Sequence, residues 1–146
     1  MSFFKAMNIS SAGLSAQRLR MNILSANLAN ANTTRTPEGG PYKRQDAVFS
    51  ATPVSDTPFA DFLDEDWGTQ LKKVKVVDIH EDTKSPRKVH DPSHPDADAD
   101  GFVEMPNIQV MSEMVNMITA TRSFESNTTA MNAAKTMATK ALEIGR

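Results

Sequence analysis

Apolar residues recur every seven positions at both ends of this 146-residue chain, and this pattern limits the possible folds more than any other feature. A repeat of this kind places its members on one side of an α-helix. The N-terminal repeat consists of Met7, Leu14, Met21 and Leu28, with Leu24 at the companion spacing. Since no proline occurs before Pro37, the pattern predicts one long helix over Phe3–Ala31.

The C-terminal repeat extends over about five heptads and has the a/d form of a coiled coil. Its two rows are Val110, Met117, Phe124, Met131 and Ala138, and Met114, Thr121, Thr128, Lys135 and Leu142. This pattern predicts a helix over Ile108–Ile144, with Asn107 as the N-cap after Pro106. Two striped helices at opposite ends of one chain are expected to pair with each other as a coiled coil.

The N-terminal stripe is too wide for one partner helix, because further apolar residues extend it around much of the helix. Each Leu or Met left exposed forgoes roughly 1.5–3 kcal/mol of burial. The remaining surface therefore predicts packing against other chains. The residues expected to pack between subunits are Met7, Leu14, Met21, Leu24, Leu28, Val110, Met114, Met117, Phe124, Met131 and Leu142.

The middle of the chain has a different composition, with prolines, glycines and most of the carboxylates. Its alternating segments predict two strands, Tyr42–Phe49 and Leu71–His80, and two shorter ones, Lys88–His90 and Phe102–Met105. The apolar residues of 59–67 are expected to form a short helix or a loop: Phe59, Phe62, Leu63 and Trp67. The predicted fold is mainly α with a small β-rich insertion: an N-terminal helix segment (1–35), the inserted module (36–106) and a C-terminal helix segment (107–146).

Composition excludes several classes of function. A formal net charge of −2 gives no excess of cations to neutralise nucleic-acid phosphates, and the absence of cysteine excludes thiolate chemistry and disulfides. No apolar run approaches the roughly 18 residues that span a membrane, and the N-terminus lacks the pattern of a cleaved secretion signal. No arrangement of His, Ser and carboxylates indicates catalysis. We therefore predict no enzyme activity, no cofactor, no small-molecule substrate, no nucleic-acid partner and no membrane span.

One segment, Asp96–Gly101, copies the first half of an EF-hand calcium loop with its alternating carboxylates Asp96, Asp98 and Asp100. Position 12 of such a loop supplies a glutamate, and this chain has Asn107 there. His90 and His94 have a spacing that needs a helix to join two imidazoles, and the intervening prolines prevent one. We predict no metal site, although whether the three aspartates bind an ion stays open.

Polar residues cluster where the first helix is expected to end: Asn27, Asn30, Asn32, Thr33 and Thr34. Asparagine at a helix end can bond carbonyl groups, adopt a left-handed turn or fix the register of packed helices. Ordinary helix-end chemistry accounts for Asn32 but less well for three asparagines followed by two threonines.

Ser11–Gln17 together with Asn27–Thr34 resembles the N-terminal signature of flagellar rod, hook and related axial proteins. Pro37–Gln45, which contains Pro41 and Tyr42, is similar to the proximal-rod members of that family. So are Gly101–Asn107, which contains Pro106, and Glu113–Asn127. The chain departs from the family at Phe124, where tyrosine is frequent, and so lacks any hydrogen bond made by that hydroxyl.

The resemblance implies a structural subunit of the flagellar basal-body rod, which crosses the periplasm and transmits torque from motor to hook. Such proteins assemble helically through their terminal helices, with copies of themselves and with other rod proteins. They leave the cytoplasm unfolded, through the flagellar type III export apparatus, without a cleaved signal peptide. A secretion-linked helical adaptor or a calcium-responsive binding module is the alternative.

Overall fold

The computed structural model describes residues 3–54 and 71–144 of the chain. Within them are two long helices and four strands, so the predicted class, mainly α with a small β-rich insertion, is confirmed. The segment 59–67, for which a short helix or loop is expected, lies outside the described residues. In chain order the elements are helix α1 (Phe3–Ala29), strands β1 (Gln45–Pro53), β2 (Lys72–Glu81), β3 (Arg87–His90) and β4 (Phe102–Met105), and helix α2 (Val110–Ile144).

Helix α1 begins at Phe3, as predicted, and ends at Ala29 rather than Ala31. The chain tightens there: the amide of Asn30 still donates to the Ala26 carbonyl at 3.0 Å, but that of Ala31 donates to Leu28, three residues back, at 3.3 Å. A bond over three residues closes the last turn and satisfies a carbonyl that the helix would otherwise leave free.

Helix α2 begins at Val110, whereas the sequence predicts Ile108. The Gln109 carbonyl accepts the first helical bond, from the Glu113 amide at 3.0 Å. Gln109 therefore occupies the N-cap position, and the assignment of Asn107 as the cap is wrong. Glu113 lies in the first turn, where the helix dipole favours a negative charge.

The two helices pack against each other in antiparallel orientation. Three contacts establish the register: Gly13 against Asn127, the Met21 sulfur 3.6 Å from the Thr121 hydroxyl, and the Asn27 side chain on Glu113. Because positions later in α1 meet positions earlier in α2, the C-terminal end of α1 lies beside the start of α2.

Strands β1 and β2 form an antiparallel hairpin, with Gln45 opposite Glu81 and Pro53 opposite Lys72. The pairing shifts between Val48 and Phe49, so that Val77 faces no residue of β1. This bulge explains why the alternation of β2 breaks at Val77 in the sequence. Both strands contact α1, where the Arg20 guanidinium lies 5.9 Å above the Phe49 ring.

Strands β3 and β4 form a second, smaller antiparallel sheet, in which Val103 is fully buried. The connecting loop closes where the Asp91 amide donates to the Gly101 carbonyl at 2.9 Å. Gly101 has a φ of +77°, and a Cβ there would lie 3.2 Å from Pro92. Both facts favour glycine at the position that follows the three aspartates.

The two helices approach each other closely at Gly13. A Cβ on Gly13 would lie 3.0 Å from the Asn127 amide, which itself donates to the Ser123 carbonyl. Gly13→Ala alone should gain little, because its helix propensity of about 1 kcal/mol is offset by displacement of Asn127. In an Asn127→Ala background the same change should stabilise. Urea unfolding of the four chains should give a coupling of roughly 1 kcal/mol; additive effects would show that the helices are not in contact here.

Candidate functional site

The interface between the two helices contains small side chains and few large ones. Leu24 and Ile23 are the large buried apolar residues of α1. The remaining buried apolar residues of the two helices are Ala16, Ala120 and Ala134. Alanine and glycine let backbones approach closely but bury little apolar area, so the pair gains modest stability from its own interface.

The buried row of α2 also has a seven-residue spacing, but it is not the predicted row. It consists of Glu113, Ala120 and Ala134, which are buried, and Asn127, which is half-buried. The predicted row beside it, which contains Met117, Phe124 and Met131, is half-buried. The seven-residue repeat is therefore present in α2, but its most buried row lies beside the predicted apolar row.

The predicted packing residues differ in their exposure. Leu24 is buried; Met7, Leu14, Met21 and Leu28 of α1 are half-buried; and Val110, Met114 and Leu142 of α2 are exposed. Their role between subunits stays a prediction. The exposed positions are apolar surface that the described part of the chain does not cover.

One such surface lies on the first turns of α2, where five large apolar side chains are exposed: Val110, Met111, Met114, Val115 and Ile118. Beside it, a groove of about 450 Å³ runs between the helices and is lined mainly by Leu28, Met114, Met117 and Ile118. Flexible Met side chains adapt to partners of different shape. This surface is suited to receive another apolar helix.

Hydroxyl groups on the rest of α2 are bonded to their own helix. Eight Ser and Thr side chains each donate to the carbonyl four residues earlier, at 2.9–3.0 Å: Thr119, Thr121, Ser123, Ser126, Thr128, Thr129, Thr136 and Thr139. A hydroxyl whose donor is satisfied in this way can be covered without leaving an unmade bond. The polar side of α2 is therefore also compatible with burial against a neighbour.

A buried polar junction joins both helices to the inserted module, and Asn27 is at its centre with 0% exposure. Its amide donates to the Gln45 carbonyl at 2.7 Å and to Glu113 Oε2 at 3.2 Å. Its oxygen accepts from the Gln45 amide at 3.0 Å and from the Tyr42 hydroxyl at 3.2 Å. These four bonds use the full capacity of an asparagine side chain.

The second half of the junction is an ion pair between Arg44 and Glu113. Arg44 Nε lies 2.7 Å from Glu113 Oε1, and Glu113 is only 2% exposed. Burial lowers the pKa of Arg44, but the hydrogen bond and charge of Glu113, with a smaller effect of Asp46, raise it above its ordinary value. The guanidinium therefore stays charged and balances the buried carboxylate.

The other motif residues close the end of α1. The side-chain amide of Asn30 donates to the Ala26 carbonyl at 2.9 Å, and the Thr33 hydroxyl donates to the side-chain oxygen of Asn30 at 3.1 Å. Thr34 donates to Asp96 of the β3–β4 loop at 2.8 Å, while Asn32 is exposed. Within residues 3–54 and 71–144 only glycines have positive φ, so the asparagines of the motif do not form a left-handed turn.

The remaining predicted motif residues surround a groove of about 490 Å³ between the segment before β1 and the segment before α2: Pro41, Tyr42, Pro106 and Asn107. Pro106 is buried, Asn107 is exposed, and the other two are half-buried. The structure thus brings Asn27 and Tyr42 into direct contact and leaves Asn32 and Asn107 at the surface.

The sequence analysis missed Glu113 and Arg44. A signal for Glu113 exists, since it is the only charged residue between Glu104 and Arg122 and interrupts an apolar helix. A lone charge in such a place is usually buried and paired. Nothing in the sequence identifies Arg44 as the partner, because 69 positions separate the two residues.

In residues 3–54 and 71–144, no three His, Asp or Glu side chains are placed to hold a metal ion. Neither α1 nor α2, over the residues described, is apolar enough to cross a bilayer. The Asp96 carboxylate instead accepts a bond from Thr34, and the Asp96 amide donates to His94 Nδ1 at 3.1 Å.

Two protein-family models match the ends of the chain. The model described as flagella basal body rod protein matches residues 7–35, and that described as flagellar basal body rod FlgEFG protein C-terminal matches residues 99–144. These two regions contain most of the paired helices and the Asn27–Glu113 contact between them. Both matches assign the ends of the chain to one class, the flagellar basal-body rod proteins.

Full-length relatives identify the family more narrowly. The chain is 44% identical to the flagellar basal-body rod protein FlgC of Borreliella burgdorferi, with 99% of this chain and 98% of that protein aligned. It is 41% identical to FlgC of Bacillus subtilis over the whole of both chains, and 36% identical to FlgC of Escherichia coli O157:H7, again over the whole of both. The chain belongs to the FlgC family of flagellar basal-body rod proteins. It is therefore a structural protein and not an enzyme, as predicted.

Asn27 provides a direct test of the junction. Asn27→Ala removes four hydrogen bonds and leaves the Gln45 backbone groups without their partners, so it should destabilise the chain by roughly 2–4 kcal/mol. Asn30→Ala is the matched control: its bonds are local and half-exposed, and less than about 1 kcal/mol should be lost. Urea unfolding followed by circular dichroism measures both. Equal effects would mean that Asn27 has no special role.

Tyr42 reports on the same junction, because it is the only tyrosine of the chain. Burial and, secondarily, the charges of Glu81 and Glu113 raise the pKa of Tyr42 above its ordinary value of about 10. The phenolate absorbance of the native chain should therefore appear at higher pH than that of the chain unfolded in urea.

A raised pKa in the folded state also implies a loss of stability in alkali. The contribution is fully present below pH 10 and decreases as pH rises through the folded-state pKa. Tyr42→Phe should therefore lose less stability than the native chain over this interval. A native phenolate that titrates at or below the unfolded value would contradict the half-buried position of Tyr42 beside Asn27.

Proposed function

We propose that the chain is a structural subunit of the flagellar basal-body rod and assembles with other copies and with other rod proteins. The observation that carries the proposal is the apolar surface of α2 beside the groove at Leu28. Large exposed Met, Val and Ile side chains are unfavourable in an isolated chain and become favourable when a neighbouring helix covers them.

The terminal segments 1–35 and 107–146 act as one assembly unit, with the helices paired as a coiled coil. The seven-residue spacing of both helices and their antiparallel contacts support this arrangement. The segment 36–106 is the inserted module that faces neighbouring subunits. Its position is fixed from inside, because Asn27 bonds both backbone groups of Gln45.

Assembly proceeds by contacts between unlike surfaces of successive subunits, which extend as a helix rather than closing into a ring. The predicted packing residues mediate these contacts, and the resulting rod transmits torque between motor and hook. The polar junction supports this role, because the ion pair and the amide bonds hold the two helices and the module in one relative position.

Export of the chain is the second part of the proposal. The chain passes unfolded through the flagellar type III apparatus and reaches the basal body, in the periplasm-spanning rod, without a cleaved signal peptide. The small interior of the helix pair supports this route, because a pair stabilised mainly by alanines and two large residues is unfolded at low energetic cost. The family resemblance of the N-terminal segment supports it as well.

Charge placed on the packing surface tests the proposal. Leu28→Asp or Met117→Asp puts an unpaired carboxylate where a neighbouring helix should pack, and should reduce incorporation into rods by at least about tenfold, since such burial costs several kcal/mol. Incorporation is measured in purified basal bodies, and export by the amount of chain outside the cytoplasm. Export should continue.

Ser126→Asp is the matched control on an exposed polar position of α2. It should leave both export and incorporation close to those of the native chain. Normal rods from both Leu28→Asp and Met117→Asp would show that the striped faces are not the assembly surface.

A further inference from the structure

Methionine contributes much of the uncovered apolar surface of α2. Of the eight methionines among the described residues, three are exposed: Met111 at 74%, Met137 at 66% and Met114 at 45%. The other five are half-buried. Because the chain contains no cysteine, methionine thioethers are its only sulfur groups open to oxidation.

Two of the half-buried methionines have a sulfur that accepts a hydrogen bond. The Met21 sulfur lies 3.6 Å from the Thr121 hydroxyl, and the Met105 sulfur lies 3.7 Å from the Arg87 guanidinium. A bond of this kind occupies a lone pair that an oxidant needs, and burial limits the approach of the oxidant.

Met111 and Met114 lack both forms of protection, since their side chains are exposed and their sulfurs accept no hydrogen bond from the described residues. They lie three residues apart, so they share one side of the first turns of α2. Met114 also lines the groove of about 450 Å³ beside Leu28. Among the described residues that line this groove, Arg122 is the only cation, and it lies about 12 Å from Met114 along the helix axis. A polar oxygen added at Met114 would therefore have no charged donor close to it in the groove.

We propose that Met111 and Met114 form an oxidation site that controls the assembly of the chain. A peroxide converts their thioethers to sulfoxides, and a chain oxidised there does not enter the rod. This inference rests on the proposed function, because it takes this surface of α2 as one that packs against a neighbour. It adds a chemical condition, namely that both sulfurs are reduced when the neighbour arrives.

The reaction transfers one oxygen atom to sulfur. A sulfur lone pair attacks one oxygen of hydrogen peroxide, so that the S–O bond forms and the O–O bond breaks. The second oxygen leaves as water with both protons of the peroxide. Sulfur loses two electrons and the peroxide gains them. Methionine sulfoxide reductases reverse the change with thiols of their own, so the site can be restored.

Oxidation at this site opposes assembly because a sulfoxide is polar, whereas the thioether it replaces is apolar. Burying the sulfoxide oxygen against a neighbouring helix without a donor favours the separate chain over the assembled one. A neighbouring helix that already covers the two methionines keeps the peroxide away. The susceptible state is therefore the chain before assembly.

The oxidation rates of the purified full-length chain test the chemical part of the inference. The chain is treated with dilute hydrogen peroxide, and the sulfoxide at each methionine is measured over time by peptide mass spectrometry. We expect Met111, Met114 and Met137 to oxidise at least about fivefold faster than Met21 and Met105. Equal rates in the two groups would overturn the inference.

Glutamine substitution tests the effect on assembly, because glutamine is about as long as methionine and carries a polar oxygen that no reductase removes. Met111→Gln and Met114→Gln should each reduce incorporation into purified basal bodies by at least about fivefold, while export continues. Met114→Leu keeps the position apolar at a similar volume and should incorporate at least about fivefold better than Met114→Gln.

Met137→Gln is the matched control. It makes the same chemical change at an exposed position of α2 that is not among the predicted packing residues, so it should incorporate like the native chain. An equal loss with Met137→Gln would overturn the inference, because the effect would not be specific to the first turns of α2.

Normal incorporation of both Met111→Gln and Met114→Gln would also overturn it. If Leu28→Asp and Met117→Asp still fail to incorporate in that case, the proposed function stands and only the oxidation site is wrong. Normal incorporation of the two aspartate variants as well would contradict the proposed function itself.

Discussion

The relative positions of α1, the start of β1 and α2 depend on the side-chain amide of Asn27. It lies on the last turns of α1 and bonds both backbone groups of Gln45, the Tyr42 hydroxyl and the Glu113 carboxylate. A helix, the start of the hairpin and the second helix thus meet at one fully buried group. Because an asparagine has two donors and two acceptor positions, only one arrangement of the three segments satisfies it. The Arg44–Glu113 ion pair then neutralises the charge that this arrangement buries.

Outside this junction the described part of the chain has little interior. The helix pair buries alanines and two large aliphatic residues, while Val110, Met111, Met114, Val115 and Ile118 of α2 are exposed. The hydroxyls of α2 are satisfied within their own helix, which leaves that side ready to be covered. The relative positions of the helices and the hairpin therefore depend on polar bonds, and the proposed assembly would bury the exposed apolar side chains between subunits.

Sequence periodicity predicted both helices and all four described strands within a few residues, and the break at Val77 corresponds to a bulge. The periodicity predicted the wrong buried row of α2. Apolar residues are more frequent in the Met and Phe row than in the row that contains Glu113 and Asn127, so the first row was expected to be buried. The half-buried Asn127 donates to Ser123 of its own helix, whereas Glu113 is buried because two partners distant in sequence, Arg44 and Asn27, satisfy it. Such pairing depends on the folded arrangement, so a pattern read along one helix does not contain it.

The single register of the two helices has a mechanical consequence. Sliding α2 along α1 by one helical turn, about 5.4 Å, would carry Glu113 away from both Asn27 and Arg44 and leave a carboxylate among aliphatic side chains. Displacements of less than one turn are also unfavourable, because the hydrogen bonds of Glu113 are lost before new ones can form. The helix pair therefore resists axial shear. It keeps one register under load, and under a larger load the two helices separate instead of sliding gradually.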